Sequence, residues 1–298
     1  MTISPPANVK VEVEEGRVLS SGFDTLVLSI DVQWESDALF LKLGELKELA
    51  KGAEMQTPGV LQAAGGADPW IFNLAPHGAQ GYEWLLVGRG FTLKIGNWMT
   101  PKSRPSVMAE LRSEALWHQG PRATADAVRS LLENQGGQVL SVKASRADLC
   151  VDVLLPAAAW SVHVKDHLVT RAVNVASFDW HRKLTGLGIG SGMISARLYD
   201  KPLEIATQSH KVWMFDVWRL PSVPLGRRVI RVEFQLRREA IKDLGIDTLA
   251  ELLAQGGNVW AYCTQEWLKL QDDPGKHHTQ QQTLPWWGVV QNGFAGAQ

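Results

Sequence analysis

Only two cysteines, Cys150 and Cys263, occur in 298 residues. That is too few for a disulfide framework or a thiolate zinc site. Neither is needed, because a chain of this length buries enough surface to be stable on its core alone. No charge sign dominates, with 30 Lys and Arg against 31 Asp and Glu. A polyanion such as DNA would therefore be held by a local patch and not by the field of the whole molecule. No apolar run approaches the ~18 residues that span a bilayer. The opening Met-Thr-Ile-Ser-Pro-Pro has neither the basic nor the apolar segment of a signal peptide. The expectation is a cytoplasmic protein with reduced thiols and no membrane partner. Tyrosine is scarce as well, three against 13 tryptophans. The tryptophans read first as core packing and second as stacking platforms for bases or sugars. So few tyrosines leave few candidates for tyrosine chemistry.

What is present is an alternation of strand and helix patterns. Residues 1–20, with Pro5-Pro6 and a charged stretch, read as a tail or a weak first strand. Phe23 to Val32 alternates and is rich enough in β-branched residues for a strand. Asp37 opens a helical leucine pattern that runs to Ala53, and Tyr82 to Ile95 reads as a hairpin broken at Gly88-Arg89-Gly90. A strand at 105–111 and a helix from Pro121 to Leu132 complete an N-terminal α+β half, residues 21–137. A second half, residues 138–245, opens with a long strand from Val139 to Leu155 and a helical reading of 156–168. Strands at 169–181 and 184–201, short helices after Pro202 and a strand at Val229–Leu236 follow. Residues 246–270 read as C-terminal helices, with Asp247-Thr248 as an N-cap and Trp260, Cys263 and Trp267 on one face. Residues 271–298 read as a flexible tail. Asp24 and Asp148 each head an apolar strand, which hints at an internal duplication.

Strand parity supplies the functional signal. Successive side chains of a strand point to opposite faces. In Arg146–Val153 one face takes Ala147, Leu149, Val151 and Val153, and the other Arg146, Asp148, Cys150 and Asp152. In Ile194–Lys201 the polar row is Ser195, Arg197, Tyr199 and Lys201. In Val229–Leu236 it is Arg231, Glu233 and Gln235. One such row is an ordinary solvated sheet face with cross-strand ion pairs. Three rows that mix acids, arginines and a lone tyrosine suit phosphodiester transfer. Carboxylates are the oxygen ligands Mg²⁺ or Mn²⁺ prefers, and arginine matches phosphate oxygens bidentately. A phenol becomes a nucleophile only beside cations or a metal, and Lys201 lies two residues from Tyr199 on the same face.

These residues, Ser145-Arg146-Ala147-Asp148-Leu149-Cys150-Val151-Asp152, Arg197-Leu198-Tyr199-Asp200-Lys201 and Arg231-Val232-Glu233-Phe234-Gln235-Leu236-Arg237-Arg238-Glu239, resemble the replication initiation factor family. That family comprises rolling-circle initiators of plasmids and phages and related relaxases of integrative conjugative elements. The resemblance covers about residues 22–270, with Gly81-Tyr82, the Gly186–Gly192 stretch, Trp260-Ala261-Tyr262 and Trp267-Leu268 as further matches. It implies an α+β fold of antiparallel sheets, of relaxase or RNA-recognition-motif type, with helices on one face and the site on the other. It also implies metal-dependent nicking and joining of single-stranded or extruded origin DNA through a 5′-phosphotyrosine. Tyr199 matches the nucleophile of an Arg-x-Tyr-(Asp/Asn)-Lys motif, assisted by Arg197 and Lys201. Asp148 and Glu233 match the acids that bind Mg²⁺ or Mn²⁺, with Asp152 as a third. A host helicase is implied as a further partner. The His-hydrophobic-His metal pair frequent in the wider relaxase superfamily is missing, which leaves a carboxylate site.

Several other signals compete. His163 and His167 have the i, i+4 spacing of a helical zinc pair but lack the glutamate and a third ligand. His277-His278 lies in the expected tail. Gly186-Leu187-Gly188-Ile189-Gly190-Ser191-Gly192 reads as a tight hairpin turn that could also bring DNA close to backbone amides. Arg227, Arg228, Arg231, Arg237 and Arg238, with Arg146, read as either a solvated face or a phosphate track. Cys150 reads as a small space-filler. Tyr82 and Tyr262 read as packing residues with tryptophan neighbours and no comparable cations. Beside the nicking enzyme stand a conjugative relaxase with the same chemistry, a water-using nuclease, a non-catalytic DNA-binding regulator and a Trp-rich ligand-binding protein.

Overall fold

A computed structural model describes residues 16–63, 68–181, 183–272 and 281–294. The alternation at Phe23–Val32 extends into β1 (Arg17–Trp34), whose Leu26, Leu28, Ile30, Val32 and Trp34 are buried. The leucine pattern after Asp37 becomes α1 (Ala38–Ala53), which buries Leu39, Leu43 and Ala50. A meander follows: β2 (Thr57–Leu61), β3 (Trp70–Leu74), β4 (Trp84–Gly88), β5 (Phe91–Ile95) and β6 (Val107–Arg112). The first half closes with α2 (Ser113–Gln119) and α3 (Pro121–Asn134), where proline occupies a first-turn position that has no intrahelical N–H bond to lose.

The second half starts with β7 (Gly137–Pro156), continues through single 3₁₀ turns, and forms β8 (Leu168–Thr170), β9 (Val175–Trp180), β10 (Lys183–Ile189) and β11 (Ile194–Asp200). Between β11 and the next strand lie α4 (Lys201–Glu204), a π-turn at Ile205–Ser209 and α5 (Met214–Trp218). β12 (Arg227–Arg237) leads into α6 (Arg238–Asp243), α7 (Leu249–Ala254) and α8 (Gly256–Tyr262). Thr248 caps α7 with a full capping box to Glu251. β13 (Leu268–Leu270) pairs with β8, and α9 (Pro285–Gln291) ends the described chain.

The chain is α+β, built on one antiparallel sheet of eleven strands in the order β2-β3-β4-β5-β6-β1-β7-β12-β11-β10-β9. Long strands β1 and β7 pair along most of their length at its centre. In each half the last strand of the meander returns beside the first, β6 against β1 and β12 against β7, so the two halves repeat one order outward from the middle. The apolar rows of these strands share one core with residues of α1, α3 and α6–α9, including the fully buried Trp260 and Trp287. Most of the described tryptophans belong to that core, in keeping with the packing reading. No helix among the described residues is long and apolar enough to cross a membrane.

The opposite face differs from the expectation of an open sheet with helices on one side. Ile205, Met214 and Trp218 pack on Leu154 and Val229, the continuation of the polar rows of β7 and β12. Trp117 of α2 lies against Gly22 of β1, where a Cβ would meet its ring at 3.3 Å. The polar face of the second half is therefore roofed. Three boundaries also move. The expected tail over 1–20 contains the start of β1 from Arg17, whereas residues 1–15 lie outside the described residues. Residues 156–168 form 3₁₀ turns instead of a helix. The expected tail over 271–298 contains α9, whose Trp286, Trp287 and Val290 enter the core. Trp287 donates its indole N–H to Thr264 O at 3.0 Å, an anchor that composition hides among Pro, Gly and Gln. His277 and His278 lie outside the described residues.

Candidate active site

β7, β12 and β11 are neighbours in that order, so the three polar rows lie side by side on one face. Across β7 and β12, Asp152 stands opposite Arg231, Cys150 opposite Glu233, and Asp148 opposite Gln235. Across β12 and β11, Glu233 stands opposite Arg197 and Arg231 opposite Tyr199. Asp148, Glu233 and Tyr199 are thus brought together as neighbours on adjacent strands, in the arrangement the parity implied.

The side chains bond in three ionic clusters. Tyr199 donates its hydroxyl to Glu233 Oε2 at 2.9 Å, and Arg197 bonds Glu233 Oε1. Arg146 bonds both oxygens of Asp148, its Nε to Oδ1 at 2.8 Å. Arg231 forks onto Asp152, Nε to Oδ1 at 2.7 Å and Nη2 to Oδ2 at 2.8 Å, while Nη1 reaches Asp24. Asp152 Oδ2 also accepts from Ser20 Oγ and Trp218 Nε1, each at 2.8 Å. Asp24 reaches Arg231 because the β1–β7 register slips between Phe23 and Thr25, leaving Asp24 as the extra residue of a bulge. Asp148, Asp152, Arg231, Lys201 and Glu233 are each at most 1% exposed. These are buried ions, which persist only when paired and hydrogen-bonded.

Burial and pairing set the protonation states. Burial and the neighbouring Glu233 carboxylate raise Asp148 to about 6 against the pull of Arg146. Burial first, then Glu233, pushes the Tyr199 phenol well above its ordinary value, with Arg231 and Arg197 opposing. Burial lowers the Lys201 ammonium, helped by Arg231 and opposed by its bridge to Glu204 Oε2 at 2.6 Å. Burial would raise Asp24, but Arg231, Lys211 and Lys201 hold it below the usual carboxylate range. Lys201 Nζ lies 5.5 Å from the Tyr199 ring centroid, and the phenol donates its hydrogen bond to the Glu233 carboxylate.

The other expected residues divide. Asp152 is saturated by three donor side chains, which removes it from the expected metal set. Arg231 is 0% exposed and is not the surface phosphate contact that was expected. Arg228 is spent on Asp200 Oδ2 at 2.6 Å, and Arg238 on Asp247 at 3.1 Å and the Ile246 carbonyl. Arg237 is exposed and Arg227 half-buried, so the basic run forms no single track. Arg227, Arg231 and Arg237 share one face of β12, Arg228 lies on the other, and Arg238 begins α6. Arg197 and Arg146 remain the partly exposed cations at the site, with side chains 61% and 36% exposed. His163 pairs with Asp166 and His167 with the Gln271 carbonyl. Cys150 is fully buried and burial raises its thiol, in keeping with a space-filler.

All three tyrosines have cations over their rings, against the expectation. Arg104 lies 5.6 Å from the Tyr82 centroid, and Arg171 lies 5.8 Å from that of Tyr262. What sets Tyr199 apart is its carboxylate acceptor; the cleft it faces is about 830 Å³ in volume, against about 550 Å³ for the one Tyr262 lines. Arg197, Tyr199, Asp24, Lys201 and Lys211 line one part of this cleft, and Gly186, Gly188 and Phe178 another. A second cavity of about 410 Å³ shares Asp24 and Lys211 and extends to Arg89 and Arg112. Lys211 donates to Ser113 Oγ at 2.7 Å between them. Sequence reasoning missed Lys211 and Phe178, which carry no motif. It noted Asp24 only as a sign of duplication.

Among the described residues no group of three His, Cys, Asp or Glu side chains is arranged to hold a metal ion. The donor set still suits Mg²⁺, which commonly takes one or two carboxylates and completes its shell with water and substrate phosphate. Asp148 and Glu233 are the two carboxylates of that kind on this face, with Arg146 on both oxygens of Asp148 and Arg197 and Tyr199 on those of Glu233. No protein-family model and no curated protein matches this sequence.

Proposed function

We propose that this protein nicks and rejoins single-stranded DNA, with Tyr199 as the nucleophile, as a replication initiator or a conjugative relaxase would. The observation that carries the reading is the Tyr199 hydroxyl donating to Glu233 at 2.9 Å on the wall of a cleft rimmed by cations. A phenol with a raised pKa needs a base at the moment of attack, and Glu233 Oε2 already holds the acceptor position.

The phenolic oxygen bonds to the scissile phosphorus while its proton passes to Glu233. The bond from phosphorus to the 3′ oxygen breaks, and a proton from solvent completes the 3′-hydroxyl. Arg197 turns from Glu233 to a non-bridging phosphate oxygen as that carboxylate takes up the proton, and Arg146 offers a second guanidinium from Asp148. Because the phosphotyrosyl bond conserves the energy of the phosphodiester, the reverse attack by a 3′-hydroxyl rejoins the strand. Asp148, with water and substrate phosphate, would hold Mg²⁺ or Mn²⁺ while Glu233 serves as the base, and the ion when bound would supply charge stabilisation to the phosphate and the leaving oxygen. Asp152, Asp24 and Arg231 serve as the buried brace beneath the site.

The test is incubation with labelled single-stranded DNA from the replicon that encodes the chain, with Mn²⁺. A covalent adduct that survives denaturation and disappears in Tyr199→Phe is expected. Cleavage by Tyr199→Phe with no adduct would replace this reading with a water-using nuclease whose base is Glu233.

A further inference from the structure

The strand beside Tyr199 and Arg197 is built differently from the rest of the sheet. On β10, the positions paired with Tyr199 and Arg197 are Gly186 and Gly188. Both are in-strand, not in a turn as the glycine run suggested; the turn lies beyond Ile189, where Gly190 has φ +72°. Glycine weakens a strand and marks close approach of another group. A Cβ on Gly186 would lie 3.3 Å from Tyr199 Cβ and 3.8 Å from the Phe178 ring. One on Gly188 would meet the same ring at 3.5 Å. Two consecutive same-face positions thus leave bare backbone between Tyr199 and Phe178. Phe178, on edge strand β9, is 58% exposed and has no aromatic partner among the described ring pairs. A large apolar ring held open at the mouth of a cation-lined cleft has a recognisable counterpart in single-stranded nucleic acid. Such chains lay bases on aromatic side chains while cations track the phosphates.

Building on the nicking reading, the geometry points to a nucleobase slot in which a base next to the scissile phosphate stacks on Phe178 over Gly186 and Gly188. Arg197 and Tyr199 face the phosphate on the other side of the same floor. The occupant is a base of single-stranded DNA, since a paired base has its faces covered by its neighbours. Phe178 is a positioning residue: it places the backbone before Tyr199 and touches no reacting atom.

Two probes separate base from backbone: a short mixed-sequence single-stranded oligonucleotide, and a phosphodiester chain of equal length made of abasic tetrahydrofuran units. Full-length protein should prefer the first. Phe178→Ala should lose about 5- to 150-fold in affinity for it, the range for one stacked base, with the abasic chain little changed. Phe178→Trp should retain the preference. Gly188→Ala, whose Cβ meets only ordinary contact with the Phe178 ring, should raise the floor and lower the preference likewise. Thermal melting of each variant checks the fold. An unchanged ratio of the two affinities in folded Phe178→Ala overturns the slot, and so does wild-type protein without preference for the base-bearing probe. The adduct assay is separate. Loss of the slot with a Tyr199 adduct intact leaves nicking standing, and a confirmed slot with no adduct under any condition removes nicking alone.

Discussion

The two halves of the sheet share one strand order and differ in what lies on the same face. In the first half the charged members of the polar row reach solvent: Lys94 and Glu110 of β5 and β6 are half-buried and Arg112 is exposed, and Arg112 bonds the buried Thr92 at 2.9 Å and sits 3.9 Å from Glu110. In the second half, Asp148, Asp152, Arg231 and Glu233 are buried and each is held in an ion pair. The cause is the connection before the returning strand. β5 passes to β6 through residues 96–106, whereas β11 passes to β12 through residues 201–226, which carry α4, the π-turn and α5. Met214 and Trp218 of that longer connection roof the brace, and Lys201, Glu204 and Lys211 wall the cleft. The same alternating pattern gives a solvated face where the connection is short and an ionic interior where it is long. Buried ions are an expensive way to gain stability, so their concentration in one half points to chemistry there.

Stability measurements on the two halves can break this comparison. The largest effect is expected for Arg231→Met, which leaves Asp152 and Asp24 buried without their cation. The loss should be about 3–5 kcal/mol in urea unfolding, against about 0.5 kcal/mol or less for Arg112→Met in the open half. Equal losses would mean that the roof does not distinguish the halves.

A second effect comes from Asp148, whose folded value of about 6 lies above its ordinary 3.8. A raised acid binds more protons in the folded state, so stability is highest below about pH 4 and falls as pH rises to about 6. Relative to Asp148→Asn, wild-type protein should lose on the order of 2–3 kcal/mol across that window and then level off. A flat difference, or one of opposite slope, would show that Arg146 fully compensates the carboxylate. The smallest effect concerns salt. Arg197→Gln should lower the slope of log affinity for single-stranded DNA against log salt by about 0.7, the value for one lost phosphate contact. Arg89→Gln, at the far cavity of the open half, should change it less. The reverse order would move the phosphate path away from Tyr199.

Parity made the central geometry legible, because an uninterrupted strand alternates faces whatever its partners. Asp148, Tyr199 and Glu233 fell on one face for that reason. Parity says nothing about cover, and residues 201–226 carry no pattern that announces a roof. Asp152 and Asp148 have the same parity, but only register places Asp152 opposite Arg231 and removes it from the expected metal set. Asp24 escaped because a bulge shifts its phase. The arginine run looked continuous in sequence and is broken up by burial of Arg231 and by the bonds of Arg228 to Asp200 and Arg238 to Asp247. Phe178 was invisible because its meaning depends on two glycines in the neighbouring strand.

The central claim is that Tyr199, and neither of the other tyrosines, forms a bond to DNA. Peptide mapping by mass spectrometry of the adduct formed with Mn²⁺ and single-stranded DNA tests it directly. The nucleotide should be found on Tyr199, with Tyr82→Phe and Tyr262→Phe retaining the adduct and Tyr199→Phe losing it. A nucleotide mapped to Tyr82 or Tyr262, or an adduct that persists in Tyr199→Phe, would contradict it.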